Sequence, residues 1–121
     1  MYAFFDGDGI GNKIEILFRD GKIEQAKEFS ESLKMAMQII EKELSKNPKY
    51  EIIIIGGDDL LIKKKGRFSK SELEEIRELF KNNNSEGATF SCGIGSTVSE
   101  SIDSLGLAKL YGRNRIISWN K

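Results

Sequence analysis

The run Ile52-Ile53-Ile54-Ile55-Gly56-Gly57-Asp58-Asp59-Leu60-Leu61-Ile62 decides the fold. Four β-branched residues without polar alternation read as a strand buried on both faces. The Gly-Gly pair breaks the run, and a second apolar stretch resumes after Asp59, the pattern of a β-hairpin with its tip at Gly56–Asp59. Upstream, Ile23, Ala26, Phe29, Leu33, Met37, Ile40 and Leu44 recur at steps of three and four. That spacing predicts one long amphipathic helix from about Lys22 to Ser45, with Pro48 just past its end. Further upstream, Tyr2–Phe5 reads as a buried strand, Asp6-Gly7-Asp8-Gly9-Ile10-Gly11 as a tight glycine loop, and Asn12–Phe18 as a short helix.

Downstream, Ser69-Lys70-Ser71-Glu72 is a capping box opening a helix with Leu73, Ile76 and Phe80 on its inner face. Residues 82–87 read as loop and Ala88–Ile94 as a strand. Thr97-Val98-Ser99-Glu100 opens a further helix with Val98, Ile102 and Leu105 turned inward, which Gly112 ends before a last strand, Ile116–Trp119. The order, the short helix aside, is β-α-β-β-α-β-α-β. A right-handed crossover lays the first two strands parallel, and the hairpin returns the third antiparallel, filling the gap between them. The expected fold is therefore α+β: a ferredoxin-like antiparallel sheet with helices on one face, plus an extra C-terminal helix and strand, in one domain spanning 1–121. In that arrangement the end of the first strand and the hairpin tip lie side by side, so Asp6, Asp58 and Asp59 converge.

Composition narrows the chemistry. The 121 residues carry 19 basic and 19 acidic side chains, so no standing positive field favours nucleic acid or a membrane surface. There is no histidine, which removes Ser–His–Asp and Cys–His catalysis and His-ligated zinc; one cysteine removes disulfide frameworks and cysteine metal clusters. No apolar run approaches the ~20 residues of a membrane span. Met1–Asp6 lacks the basic region of a signal peptide, and the expected location is the cytoplasm.

Clustered carboxylates without histidine or cysteine point to a hard divalent ion, Mg²⁺ or Mn²⁺. Two such ions roughly 3.5–4 Å apart support in-line phosphoryl displacement without a protein base. Gly7, Gly9 and Gly11 would let backbone N–H groups approach phosphate oxygens, beside the positive end of the helix starting near Asn12. Each feature has a plainer reading. The Gly56–Asp59 run suits a solvated hairpin tip, and Asp8 suits turn stabilisation as well as metal ligation. Lys109 and Arg113, one helical turn apart, could grip one triphosphate or merely satisfy a helix dipole. Lys63-Lys64-Lys65 with Arg67 reads as a solvated strand end, Cys92 as a small core residue, and Trp119 as core.

The strand ending in Asp6-Gly7-Asp8-Gly9-Ile10-Gly11, the Gly56-Gly57-Asp58-Asp59 hairpin and Ala108-Lys109-Leu110-Tyr111-Gly112-Arg113-Asn114 together resemble a nucleotidyl-cyclase palm domain. Relatives of this kind are the GGDEF diguanylate cyclases and the palm of the large subunit in type III CRISPR complexes; length and the GGDD form are most similar to the minimal CRISPR polymerase (mCpol) family. The resemblance implies that Asp6, Asp58 and the Gly7 carbonyl are metal ligands and that Asp59 completes the second ion or orients the first. It implies that Gly9, Ile10 and Gly11 hold phosphates, with Asn12, Gly56 and Gly57 beside the nucleotide, and that Lys109 and Arg113 bind the triphosphate. Where diguanylate cyclases read guanine with Asn and Asp, this chain has Ile14 and Ile23, which favours ATP.

The implied activity is metal-dependent condensation of ATP into a cyclic oligonucleotide, a dinucleotide foremost, with pyrophosphate release. Such a product fits an antiviral second messenger with a separately encoded receptor or effector. One domain holds one nucleotide, so a homodimer is the simplest assembly. The rivals are a cyclase making a 3′,5′-cyclic mononucleotide and a non-catalytic nucleotide-binding palm.

Overall fold

A computed structural model describes residues 1–119. The chain runs β1 (Tyr2–Gly7), α1 (Ile10–Arg19), α2 (Ile23–Ser45), β2 (Glu51–Gly56), β3 (Asp59–Lys63), α3 (Lys70–Asn83), β4 (Phe90–Gly95), α4 (Val98–Leu110) and β5 (Ile116–Ser118). The sheet order is β2-β3-β1-β4-β5, so β3 does fill the gap between β1 and β2. β1 pairs antiparallel with both β3 and β4, whereas β5 joins β4 in parallel. The ferredoxin-like core and the additional helix and strand are both present.

Alternation along β1 turns Ala3 and Phe5 into the core, where α1, α2 and α3 cover one face of the sheet. Phe5 stacks on Phe90 with ring centroids 5.2 Å apart, and Phe90 on Phe80 at 4.0 Å. The capping box opens α3 as expected: the Ser69 hydroxyl accepts from the Glu72 N–H and the Glu72 carboxylate accepts from the Ser69 N–H. At the same end Glu72 also accepts from the Lys64 ammonium, at 2.7 Å, and from the Tyr50 hydroxyl.

Three expectations about burial change. The Ile52–Ile55 strand is not buried on both faces: β2 is the outer strand, only Ile52 and Ile55 pack against the core, and a register shift between Ile52 and Ile54 leaves both Ile53 and Ile54 exposed. The inner face of α4 is Ser101, Ser104 and Ala108, while Ile102 is exposed. The reason is close approach. A Cβ on Gly93 would lie 2.1 Å from the Leu105 backbone nitrogen, and one on Gly95 2.7 Å from that of Ser101, so only small residues fit between helix and sheet. α4 thereby covers the sheet face opposite the other helices. Trp119, finally, is exposed rather than core; its N–H donates to the Ile94 carbonyl at the sheet margin. Cys92 is fully buried, as expected.

Candidate active site

The site forms where β1 ends beside the β2–β3 turn. Asp6 lies opposite Asp59 in the β1–β3 register, and Gly56 opposite Asp59 across the hairpin, so Gly57 and Asp58 form a two-residue turn. The Gly7 N–H donates to the Asp58 carbonyl at 3.0 Å and fixes that turn against β1. A Cβ on Gly7 would stand 2.7 Å from an Asp58 carboxylate oxygen and from the Ile10 side chain, so any larger residue there would push those two side chains aside.

Asp6, Asp58 and Asp59 each offer a carboxylate oxygen within 4.8 Å of the others. Burial and then the charge of Asp6 raise the Asp58 pKa. Asp59 is pushed up to about 7, chiefly by a hydrogen bond with the Asp6 carboxyl, then by burial and by repulsion from Asp6 and Asp58. Three oxygen donors that disfavour one another's charge suit a hard divalent cation, whose charge would relieve the repulsion.

Asp8 is not part of this trio. Its carboxylate, only 6% exposed, accepts from Thr89 and Ser91 hydroxyls (2.7 Å each), the Lys109 ammonium (2.7 Å) and the Asn114 N–H (3.0 Å). Burial alone would raise its pKa, but these donors, Lys109 foremost, outweigh it and the pKa is lowered. Of the two roles open to Asp8, the geometry shows a structural one, a clasp between the end of β1, β4 and the segment after α4.

Lys109 reaches further. Its ammonium donates to the carbonyls of Asp6 (3.2 Å) and Gly7 (2.9 Å) and stands 3.2 Å from an Asp6 carboxylate oxygen. The Gly7 carbonyl, one of the expected ligands, thus faces Lys109 in this structure. Arg113 lies beyond the end of α4 in the left-handed region (φ 66°), exposed, its guanidinium without an ion pair among the described residues. Asn114, also left-handed (φ 52°), is held by Asp8 and accepts from Arg77 at 2.6 Å.

Helix α1 starts earlier than expected, at Ile10 with Gly9 as its cap, and no side chain caps it. The first helical bond described there runs from the Lys13 N–H to Gly9, so the N–H groups of Ile10, Gly11 and Asn12 point outward unclaimed by the helix. Gly56 and Gly57 sit at the hairpin tip. Ile14 packs partly against the core, and Ile23 is exposed at the start of α2.

Sequence reasoning missed Thr89 and Ser91. Their signal is the alternation Thr89-Phe90-Ser91-Cys92, which puts hydroxyls on one face of β4 and core residues on the other.

The family model of the minimal CRISPR polymerase domain, mCpol, matches residues 2–119. No curated protein matches the chain in sequence. Among solved structures, the active GGEEF domain of a diguanylate cyclase from Vibrio cholerae is similar at TM-score 0.66 and 15% identity, over 99% of this chain and 82% of that one. The GGDEF domain of DgcB from Caulobacter crescentus, in complex with c-di-GMP, gives TM-score 0.64 and 18% identity over 99% and 77%. A Csm1–Csm4 cassette in complex with one ATP gives TM-score 0.65 and 21% identity over 95% of this chain but 20% of that one. Among the described residues, no helix is long and apolar enough to cross a membrane.

Proposed function

Because the chain belongs to the minimal CRISPR polymerase (mCpol) family, with a polymerase- and cyclase-type palm, we propose that it joins ATP molecules into a cyclic oligonucleotide, a cyclic dinucleotide in the first instance. The carrying observation is the convergence of Asp6, Asp58 and Asp59 beside the uncapped start of α1. Mg²⁺ or Mn²⁺ held by these carboxylates would supply the positive charge that activates a hydroxyl and steadies a leaving oxygen. The N–H groups of Ile10, Gly11 and Asn12 would hold the β- and γ-phosphates at the positive end of α1. Lys109 and Arg113 would neutralise the same triphosphate, with Asp8 keeping Lys109 at the site. Gly56 and Gly57 leave the hairpin tip open to the nucleotide.

In the reaction, the 2′- or 3′-hydroxyl oxygen of one nucleotide attacks the α-phosphorus of the other. A new P–O bond forms as the bond to pyrophosphate breaks, and the hydroxyl proton passes to solvent. A second, reciprocal displacement closes the ring. Each domain presents one such site, so two copies would face each other. Ile14 and Ile23 offer no hydrogen bond to a base edge, which supports adenine over guanine. Family membership supports an antiviral messenger acting on a separately encoded receptor or effector.

The test is mass spectrometry of products from each NTP with Mg²⁺ or Mn²⁺, beside an Asp58→Ala, Asp59→Ala control. A cyclic adenylate lost in the control is expected. A 3′,5′-cyclic mononucleotide would move the reading to a cyclase, and bound but unconverted nucleotide would move it to a binding-only palm.

A further inference from the structure

Past α4 the backbone takes three steps in the left-handed region. Gly112, Arg113 and Asn114 follow one another at φ 112°, 66° and 52°. Asparagine visits that region readily, but in arginine the Cβ crowds the following carbonyl oxygen and no short polar side chain compensates. Arg113 therefore stays there because its surroundings hold it. Its N–H donates to the Ala108 carbonyl at 2.9 Å, and its own carbonyl accepts from Arg115 Nε at 3.0 Å. The next N–H, that of Asn114, donates to Asp8 at 3.0 Å, so Arg113 starts one peptide bond from the carboxylate that also holds Lys109. The remaining hold comes from α3. Arg77, its side chain 11% exposed, donates from Nε to the Phe90 carbonyl at 2.6 Å and from Nη1 to both Glu74 oxygens at 2.7 and 2.9 Å. Its Nη2 donates to the Asn114 side-chain oxygen at 2.6 Å. One rigid guanidinium thus joins α3, β4 and the turn, and Phe90 lies opposite Gly7 in the β1–β4 register.

We propose that Arg77 is a positioning residue for nucleotide binding: through Asn114 it fixes the turn after α4 so that Arg113 meets the triphosphate beside Lys109. This rests on the ATP reading above, in which Arg113 and Lys109 share that triphosphate. The two arginines divide the work. Arg77 is consumed by bonds within the fold, whereas the Arg113 guanidinium is exposed and has no ion pair among the described residues. A backbone already locked in place loses less freedom when its side chain grips an anion, so the lock strengthens binding without touching the ligand. Asp8 and Arg77 hold Asn114 from two sides, one by its N–H and one by its side chain.

A double-mutant cycle on the full chain tests this, with affinity for α,β-methylene-ATP and Mg²⁺ read by calorimetry. Arg77→Met and Arg113→Met should each weaken binding about tenfold, and the double variant no more than Arg113→Met alone. A role confined to stability would instead give independent losses, roughly a hundredfold together. Arg77→Met also strips the Phe90 carbonyl of a donor, so a second variant probes the same link from its exposed side. Asn114→Gly keeps a left-handed backbone but removes the acceptor. It should weaken binding as Arg77→Met does and be silent beside Arg113→Met; if Arg77→Met does not fold, this cycle decides. Independent losses overturn the proposal, and so does an Arg113→Met that binds as tightly as wild type. A wild type that binds no nucleotide overturns the ATP reading and the proposal with it. Coupled losses in a chain that makes no cyclic product from ATP support the positioning role and count against nucleotidyl transfer alone.

Discussion

Asp8 and Asp59 show how two aspartates of one glycine-rich site take opposite tasks. Asp8 is encircled by donors, and its replacement by alanine leaves two hydroxyls and the Asn114 N–H without their acceptor and takes one partner from Lys109. Asp8→Ala should cost about 3 kcal/mol in urea unfolding and should loosen the segment around Asn114, seen as faster amide exchange there. Asp59 carries the reverse burden. Its folded pKa of about 7 stands above the ordinary 3.8, so the folded chain holds more protons than the unfolded one between those values. This group therefore lowers stability as pH rises from about 4 to about 7. Asp59→Asn should stabilise the metal-free protein at pH 7 by on the order of 0.5–1 kcal/mol once solvent screening is allowed for, seen as a higher Tm, while reducing metal affinity. For the wild type, protons compete with the cation below about pH 7, so Mg²⁺ or Mn²⁺ affinity measured by calorimetry should strengthen from pH 6 to 8. The two roles of Asp8 could not be separated in the sequence, because its partners Thr89, Ser91, Lys109 and Asn114 lie 81 to 106 residues away.

At the scale of elements, local pattern located the strands and helices but not which face of each is covered. The steps of α2 marked its buried stripe from Ala26 to Leu44, since that stretch packs large side chains into the core, whereas Ile23 at the helix start is exposed. In α4 the same logic selected Val98, Ile102 and Leu105. The deciding residues, Gly93 and Gly95, lie in the preceding strand, and their effect emerges only when helix and sheet meet. The four isoleucines of β2 are equally silent about position: β-branching favours a strand at the margin as much as at the centre. The carboxylate trio was legible because one crossover and one hairpin suffice to bring β1 beside the turn. Gly93→Ala should detach or displace α4 at a cost of ~3 kcal/mol or more, read as lost amide protection across 98–110. Ile54→Lys, on the solvent face of β2, should change stability by under ~0.5 kcal/mol.

Across the whole molecule, the candidate site and the Glu72 network sit at opposite ends of the sheet. The site end gathers mutually repelling carboxylates. The far end gathers Glu72, Lys64, Tyr50 and the start of α3 into a satisfied network. Burial would raise the Glu72 pKa, but Lys64, the Ser69 N–H and Tyr50 together bring it down to about 2. Its contribution to stability is therefore complete above the ordinary value of 4.5 and is lost as pH falls toward about 2. Acid unfolding followed by circular dichroism should begin at higher pH in Lys64→Met than in wild type.

The Lys109 bonds to Asp6 and Asp8 also set an order in time. They span 103 and 101 residues of chain. At a synthesis rate of ~5–20 residues per second, about 5–20 s separate the aspartates from their lysine as the chain leaves the ribosome. During that interval the acidic pole exists without its counter-charge. A chain halted before Lys109 would expose the repelling carboxylates without that counter-charge, so the acidic pole is neutralised only once α4 has been made.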